Sequence, residues 1–71
     1  MNLVVNGKEV QTQDGQTVAG LLKDQKVKMP EMVSVELNGE ILSRQGFDTT
    51  AVGEGDRVEF LYFMGGGGGT I

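Results

Sequence analysis

The feature that most constrains the fold is the run Arg57–Met64, where apolar side chains fall on both faces of an extended strand. They alternate as Val58, Phe60 and Tyr62 on one face, with Leu61 and Phe63 on the other. A strand that is apolar on both faces belongs inside a sheet rather than at its edge. The sequence therefore predicts that this strand is central and that the other segments pair with it or pack on it.

Five consecutive glycines, Gly65–Gly69, follow that strand directly, and Thr70 and Ile71 end the chain. Backbone without Cβ atoms is the most flexible available. We predict a domain over residues 1–64 and a flexible tail over residues 65–71. Such a tail can enter a channel too narrow for other residues and carry a carboxylate to chemistry done elsewhere. The alternative is a frayed terminus without function.

Composition limits the classes of function. With 71 residues, 38% hydrophobic and 23% charged, the chain predicts one small globular domain. It has no Cys and no His, and so lacks the usual metal ligands, the commonest general base and the strongest nucleophile, which argues against an enzyme. A net charge of -4 and scattered basic residues argue against nucleic acid. No apolar run has membrane-spanning length, and we expect a cytoplasmic protein, monomeric when free.

Two Asn-Gly pairs, Asn6-Gly7 and Asn38-Gly39, indicate tight turns because both residue types accept positive φ. Each pair joins two β-prone runs, so the sequence predicts two hairpins. The four runs are Asn2–Val5, Lys8–Thr12, Met32–Leu37 and Glu40–Leu42.

Between the hairpins, Thr17 is a suitable N-cap for a helix that runs from about residue 18 to about residue 25. Its buried face is predicted from the helical spacing of Val18, Leu21 and Leu22. Gly20 inside this helix costs about 1 kcal/mol relative to Ala. The helix should therefore depend on packing against the sheet.

The connections carry three further expectations. Met29 precedes Pro30 and should be extended, because proline disfavours helical backbone in the residue before it. Phe47 should pin the following long loop onto the core. A turn is expected over residues 53–56, where Asp56 caps or stabilises the turn through its own backbone.

Two other types of site, a phosphate loop and a calcium loop, are not predicted from these residues. The glycine run is not followed by Lys-Ser or Lys-Thr, so it does not form a phosphate loop. The carboxylates of Glu54, Asp56 and Glu59 do not match the spacing of a calcium loop, and no metal or cofactor is predicted. Leu61 and Phe63 form an exposed docking patch in the preferred interpretation, and lie beneath the helix and long loop in the alternative.

The order hairpin, helix, hairpin, loop and final strand is that of an α+β β-grasp fold, a mixed four- to five-stranded sheet packed on one helix. Several segments resemble the ThiS family of ubiquitin-like sulfur carriers from thiamine biosynthesis. They are Asp14–Val18 with Leu21-Leu22, Val35–Leu42 with Arg44, Gly55–Glu59, and Phe63–Gly67. The resemblance covers nearly the whole chain.

The resemblance implies a protein substrate instead of an enzyme. A ThiF-type enzyme adenylates the terminal glycine carboxylate, sulfur replaces AMP to give a thiocarboxylate, and thiazole synthase accepts the sulfur. The residues next to the tail would contact these partners; they are Leu61, Phe63, Met64 and Gly65. The alternatives are a carrier for molybdenum cofactor or amino-acid biosynthesis, and a β-grasp interaction module that is never activated.

The ending departs from the family pattern, because Thr70 and Ile71 follow the last glycine. They resemble the short tail that a protease removes from some related carriers, which would make Gly69 the working terminus. Alignment of the last strand with ordinary members instead places the terminal pair at Gly66-Gly67. Gly68 lies between the two choices, and both remain open at the level of sequence.

Overall fold

The computed structural model describes residues 1–62, which form a five-stranded mixed sheet packed on one helix. The elements in chain order are β1 (Asn2–Val5), β2 (Lys8–Gln11), α1 (Val18–Asp24), β3 (Val33–Leu37), β4 (Glu40–Leu42) and β5 (Arg57–Tyr62). Short 3₁₀ helices lie at Pro30–Met32 and Arg44–Gly46. The predicted order of elements and both predicted hairpins are confirmed.

The last strand is central, as its two apolar faces predicted. The strand order is β2-β1-β5-β3-β4, with β5 parallel to β1 and antiparallel to β3. The register pairs Val58 with both Val5 and Leu37, so β1 from the start of the chain and β3 from its middle both pair with β5. The predicted continuation of this strand through Phe63 and Met64 lies outside the described residues.

The core lies between α1 and one face of the sheet. It contains Leu3, Val5, Val18, Leu21, Leu22, Val33, Val35, Phe47, Val52, Val58 and Phe60. Phe47 is buried in this cluster, so the prediction that it holds the long loop on the core is confirmed. The opposite face, which we call the outer face, carries Val4, Glu36, Glu59 and Leu61 at alternate positions of the same strands.

The helix begins as predicted. Thr17 has extended backbone, and its hydroxyl accepts a hydrogen bond from the backbone N–H of Gly20 at 3.1 Å. This satisfies one of the free donors at the start of a helix. The helix then presents its apolar face to the sheet and ends at Asp24.

The prediction of extended backbone at Met29 is wrong. Met29 has φ 54° and ψ 57°, in the left-handed region. Pro30 starts a 3₁₀ helix, where its fixed φ is favourable, and the N–H of Met32 donates to the carbonyl of Met29 at 2.8 Å. The side chain of Arg44 donates to the Pro30 carbonyl at 3.0 Å. These contacts together outweigh the local preference of a residue before proline.

The turn before β5 is confirmed with its stabilising residue. The carboxylate of Asp56 accepts from the N–H of Gly53 at 2.7 Å, and the N–H of Asp56 donates to the Gly53 carbonyl at 3.0 Å. These two hydrogen bonds close the turn directly before β5 begins at Arg57.

Candidate functional site

The candidate site is the described end of β5, from which the chain continues towards the glycines; we call this point the exit. Tyr62 is the last described residue; it pairs with Val33 and its side chain is 48% exposed. Most of the predicted site residues follow it and lie outside the described part, namely Phe63, Met64, Gly65, Gly66, Gly67, Gly68, Gly69, Thr70 and Ile71. The structure therefore describes the base of the tail and the surfaces around it.

One side of β5 is held by Asn6 from the first hairpin turn. The N–H of Phe60 donates to Asn6 Oδ1 at 2.9 Å, and the N–H of Asn6 donates to the Val58 carbonyl at 2.9 Å. The turn residue thus continues the parallel pairing of β1 with β5 beyond the end of β1. It fixes the backbone two residues before Tyr62.

The other side of β5 is held in the same way by Asn38 from the second hairpin turn. The N–H of Arg57 donates to Asn38 Oδ1 at 2.9 Å, and the Asn38 N–H donates to the Arg57 carbonyl at 2.8 Å. Asn38 Nδ2 also donates to Asp56 at 3.1 Å. Sequence reasoning treated both asparagines only as turn residues. The available signal was the use of Asn at both turns, where Asp or Gly also supply positive φ.

The outer face beside the exit combines apolar and acidic residues. Leu61 is half-buried opposite Ser34, and two pairs further from the exit Glu59 lies opposite Glu36. Ile41 neighbours Glu36 on the edge strand and is 63% exposed. The helix covers the opposite face, so Leu61 lies on the side that α1 leaves uncovered. Of the predicted patch, Leu61 is described and Phe63 is not.

A groove of about 600 Å³ lies on the inner side of the exit, between the first hairpin and the segment after α1. We call it the lysine groove. It is lined by Val5, Asn6, Lys8, Val10, Gln25, Lys26, Val27, Lys28, Met29, Phe60 and Tyr62. Apolar side chains form the floor of the groove, and Lys8, Lys26 and Lys28 supply its charges. From the sequence alone, Lys23, Lys26 and Lys28 indicate only a favourable interaction with the dipole at the end of the helix.

The carboxylates weighed as cation ligands have other roles. Glu54 Oε1 accepts from the N–H of Asn2 at 2.9 Å, and Asp56 holds the turn before β5. Within residues 1–62, no group of three or more potential ligand side chains could hold a metal ion. None of the helices in this part of the chain is long and apolar enough to cross a membrane.

A mixed sheet wrapped on one helix, with a central last strand that leads into a glycine-rich end, defines the ubiquitin-like β-grasp class. Comparison with known families narrows this class, because the ThiS family matches residues 2–67. The chain belongs to the ThiS family. The expectation that the chain is not itself an enzyme agrees with membership of this family of small sulfur carriers.

Two solved structures of one relative agree with this assignment. The crystal structure of the thiamine biosynthesis protein (ThiS) from Geobacter metallireducens is 55% identical, covers 94% of this chain and 100% of its own, and has a TM-score of 0.86. The solution structure of a thiamine biosynthesis protein from the same organism is 56% identical, covers 94% of this chain and 88% of its own, and has a TM-score of 0.75.

Two curated relatives are longer proteins. The thiazole synthases of Paramagnetospirillum magneticum and Magnetococcus marinus are 39% and 34% identical over 67 residues, which is 94% of this chain. The chain spans 20% of the length of each of these relatives. Each of these two proteins thus contains a segment that is similar to this chain.

Proposed function

We propose that this chain carries sulfur for the thiazole of thiamine, on the carboxylate of a glycine within Gly66–Gly69. The observation that carries the proposal is the extent of the family match, which reaches residue 67 and so includes the glycine exit as well as the β-grasp domain. A β-grasp interaction module would need the domain alone.

The proposed chemistry has two balanced steps. In the first, a carboxylate oxygen of the terminal glycine attacks the α-phosphorus of ATP, which forms an acyl adenylate and releases pyrophosphate. In the second, hydrosulfide attacks the acyl carbon and AMP leaves with the bonding electron pair; the resulting thioacid loses its proton to give the thiocarboxylate. The first step converts a poor leaving group into a good one.

The residues of this chain contribute position and access. Glycine brings its carboxyl carbon to a nucleophile without obstruction by a side chain. Asn6 and Asn38 hold β5, so the tail begins from a defined point on the sheet. Because the chain has neither Cys nor His, the proposal assigns proton transfer and covalent catalysis to the partner enzymes.

The proposed partners are a ThiF-type adenylating enzyme and a thiazole synthase. The second partner is supported by the curated relatives, which are named thiazole synthases and contain a segment similar to this chain. A protease that removes Thr70 and Ile71 belongs to the variant of the proposal in which Gly69 is the working terminus. The end of the family match at residue 67 supports Gly67 as the second choice.

The test compares chains that end at Gly67, Gly69 and Ile71. Each is incubated with ATP, a sulfide source and a ThiF-type enzyme, and both ATP–pyrophosphate exchange and intact mass are followed. We expect a chain that ends in glycine to exchange pyrophosphate and to gain the mass difference between sulfur and oxygen. The Ile71 form should react poorly, because misplacement of the carboxylate by about 1 Å costs roughly 100-fold in rate. Equal reaction of the Ile71 form with its tail intact would contradict the processing step.

The proposed docking surface is the outer face beside the exit, with Leu61, Phe63, Met64 and Gly65 in contact with the partner. Phe63→Ala should weaken binding to the adenylating enzyme by about 1–3 kcal/mol while the melting temperature stays unchanged. Calorimetric titration gives the affinity, and Gln13→Ala, an exposed position in the loop after β2, is the control. Loss of folding in Phe63→Ala would place that side chain in the core and remove the docking assignment.

A further inference from the structure

The lysine groove concentrates positive charge in an acidic protein. Three of the six Lys and Arg residues line it, whereas all ten Asp and Glu residues lie within residues 1–62 and none of them lines it. The chain as a whole carries a net charge of -4. The groove therefore offers lysines to an anionic group without a neighbouring carboxylate in its lining.

The floor of the groove is apolar and is formed by residues of the sheet and of the segment after α1. Val5 and Phe60 are buried at its base, while Val27 is half-buried and Met29 is 57% exposed. Long lysine side chains can cover apolar surface with their stems while the ammonium groups stay in water. An occupant with both an apolar side chain and carboxylates would match this arrangement better than a purely charged ligand.

The position of the groove links it to the tail. Phe60 and Tyr62 of β5 form part of its lining, and Tyr62 is the residue from which the chain continues towards the glycines. A protein that receives the tail has to approach the surface around Tyr62. The groove is thus continuous with the surface that the adenylating partner of the proposed function would contact.

We propose that the lysine groove docks an acidic segment of the adenylating partner, with an apolar side chain against Val27 and Tyr62 and carboxylates beside Lys8 and Lys28. This inference rests on the proposed function, because the partner is the protein that activates the tail. Charged residues at the rim of an interface mainly accelerate encounter and select the partner. The groove accordingly adds an electrostatic contact on the inner side of the exit, separate from the outer face.

The test uses two double variants with the same change in charge. Lys8→Glu with Lys28→Glu alters the groove, whereas Lys23→Glu with Arg57→Glu alters exposed positions outside it. Each substitution of Lys or Arg by Glu changes the net charge by -2, so both double variants carry -8 instead of -4. Thermal melts check that both remain folded.

Binding of the full-length chain to a purified ThiF-type enzyme is measured by calorimetric titration at low and high salt. We expect the groove variant to bind at least tenfold more weakly and to lose most of the salt dependence of the parent chain. The control variant should stay within threefold. Equal losses in both variants, or no loss in the groove variant, would overturn the proposal, as would failure of the parent chain to bind.

Two further readouts separate the possible outcomes. Sedimentation of the free chain detects self-association; a dimer that only the groove variant dissociates would make a second copy the occupant and overturn the proposal. Pyrophosphate exchange with the chains that end at Gly67 and Gly69 tests the proposed function independently. Groove-dependent binding without adenylation defeats the proposed function alone, whereas adenylation with unchanged affinity in the groove variant defeats the docking inference alone.

Discussion

At the scale of single residues, the structure explains why a glycine occupies position 20 inside α1, which helix propensity does not explain. The side chain of Gln16 is buried and donates through Nε2 to Asp24 and to Thr12. A Cβ at Gly20 would lie closer to Gln16 Oε1 than 3.0 Å, which real Cβ contacts essentially never show. Glycine thus makes room for a buried polar side chain that joins both ends of the helical segment.

Gly20→Ala should therefore destabilise the domain by about 1–2 kcal/mol, although alanine is favoured over glycine in a helix by about 1 kcal/mol. The added methyl group displaces Gln16 and disturbs its buried hydrogen bonds. Urea unfolding measures the change. In a Gln16→Ala background the same substitution should instead stabilise the domain, and stabilisation in the parent background would show that Gln16 moves without cost.

Arg44 is a second residue whose role depends on the fold. Its guanidinium donates to the carbonyl of Pro30 at 3.0 Å and to that of Val33 at 2.6 Å, and it lies 5.3 Å from the centre of the Phe47 ring. One planar group thus joins the connection after α1 to the start of β3 and the long loop. This geometry uses two donors in a fixed arrangement, which lysine does not provide.

Arg44→Lys should cost about 1 kcal/mol of unfolding free energy, because one ammonium group cannot reproduce the pair of hydrogen bonds and the contact with the Phe47 ring. Chemical denaturation provides the measurement. Arg57→Lys, an exposed position on β5, is the matched control and should change stability by less than about 0.5 kcal/mol. Equal effects at the two positions would contradict the assigned role of Arg44.

At the scale of elements, the two hairpins are connected to β5 through their turns as well as through their strands. Asn6 and Asn38 each accept an N–H of β5 on the side-chain oxygen and donate a backbone N–H to it. Each asparagine also has positive φ, at 51° and 52°. One residue type therefore makes the turn and extends the sheet at both borders of the central strand.

Asn6→Gly and Asn38→Gly should each destabilise the domain by about 1–2 kcal/mol, since glycine keeps the positive φ but loses the side-chain oxygen. Aspartate separates the two sites. Asn6→Asp keeps an acceptor for Phe60 and should remain close to the parent, whereas Asn38→Asp loses its hydrogen bond to Asp56 and brings two carboxylates together. Thermal and urea unfolding test this order; equal behaviour of the two Asp variants would contradict it.

At the scale of the whole molecule, the folding unit and the proposed working end are separate parts of the chain. The described core runs from Leu3 to Phe60, and its residues come from β1, α1, β3, β5 and the loop that contains Phe47 and Val52. The proposed chemistry takes place within Gly66–Gly69. Stability and transfer chemistry should therefore respond to different substitutions.

Chains that end at Gly67, Gly69 and Ile71 should accordingly melt at the same temperature, because the residues removed lie beyond the described core. Circular dichroism or calorimetry at matched protein concentration measures this. Gly20→Ala supplies the positive control, since it should lower the melting temperature. A shift of more than about 4 °C on removal of Thr70 and Ile71, equivalent to about 1 kcal/mol in a domain of this size, would show that the end contributes to folding.

Much of the architecture followed from local patterns. Alternation along β3 and β5, two Asn-Gly turns and the N-cap at Thr17 predicted the strands, hairpins and helix that the structure contains. These features depend on backbone geometry over a few residues, which nearby side chains control. The two apolar faces of the last strand also predicted its central place, because burial on both sides is a property of sheet interiors.

The sequence by itself determined the β-grasp order, the central strand and the glycine exit, since each depends on periodicity or on residues close in the chain. Tertiary structure alone decided the left-handed backbone of Met29, the hydrogen bonds of Asn6 to β5 and the assembly of the lysine groove. The physical reason is distance along the chain. Arg44 reaches the carbonyls of Pro30 and Val33, Asn6 binds the N–H of Phe60, and Lys8 and Lys28 line one groove only after folding has closed the intervening loops.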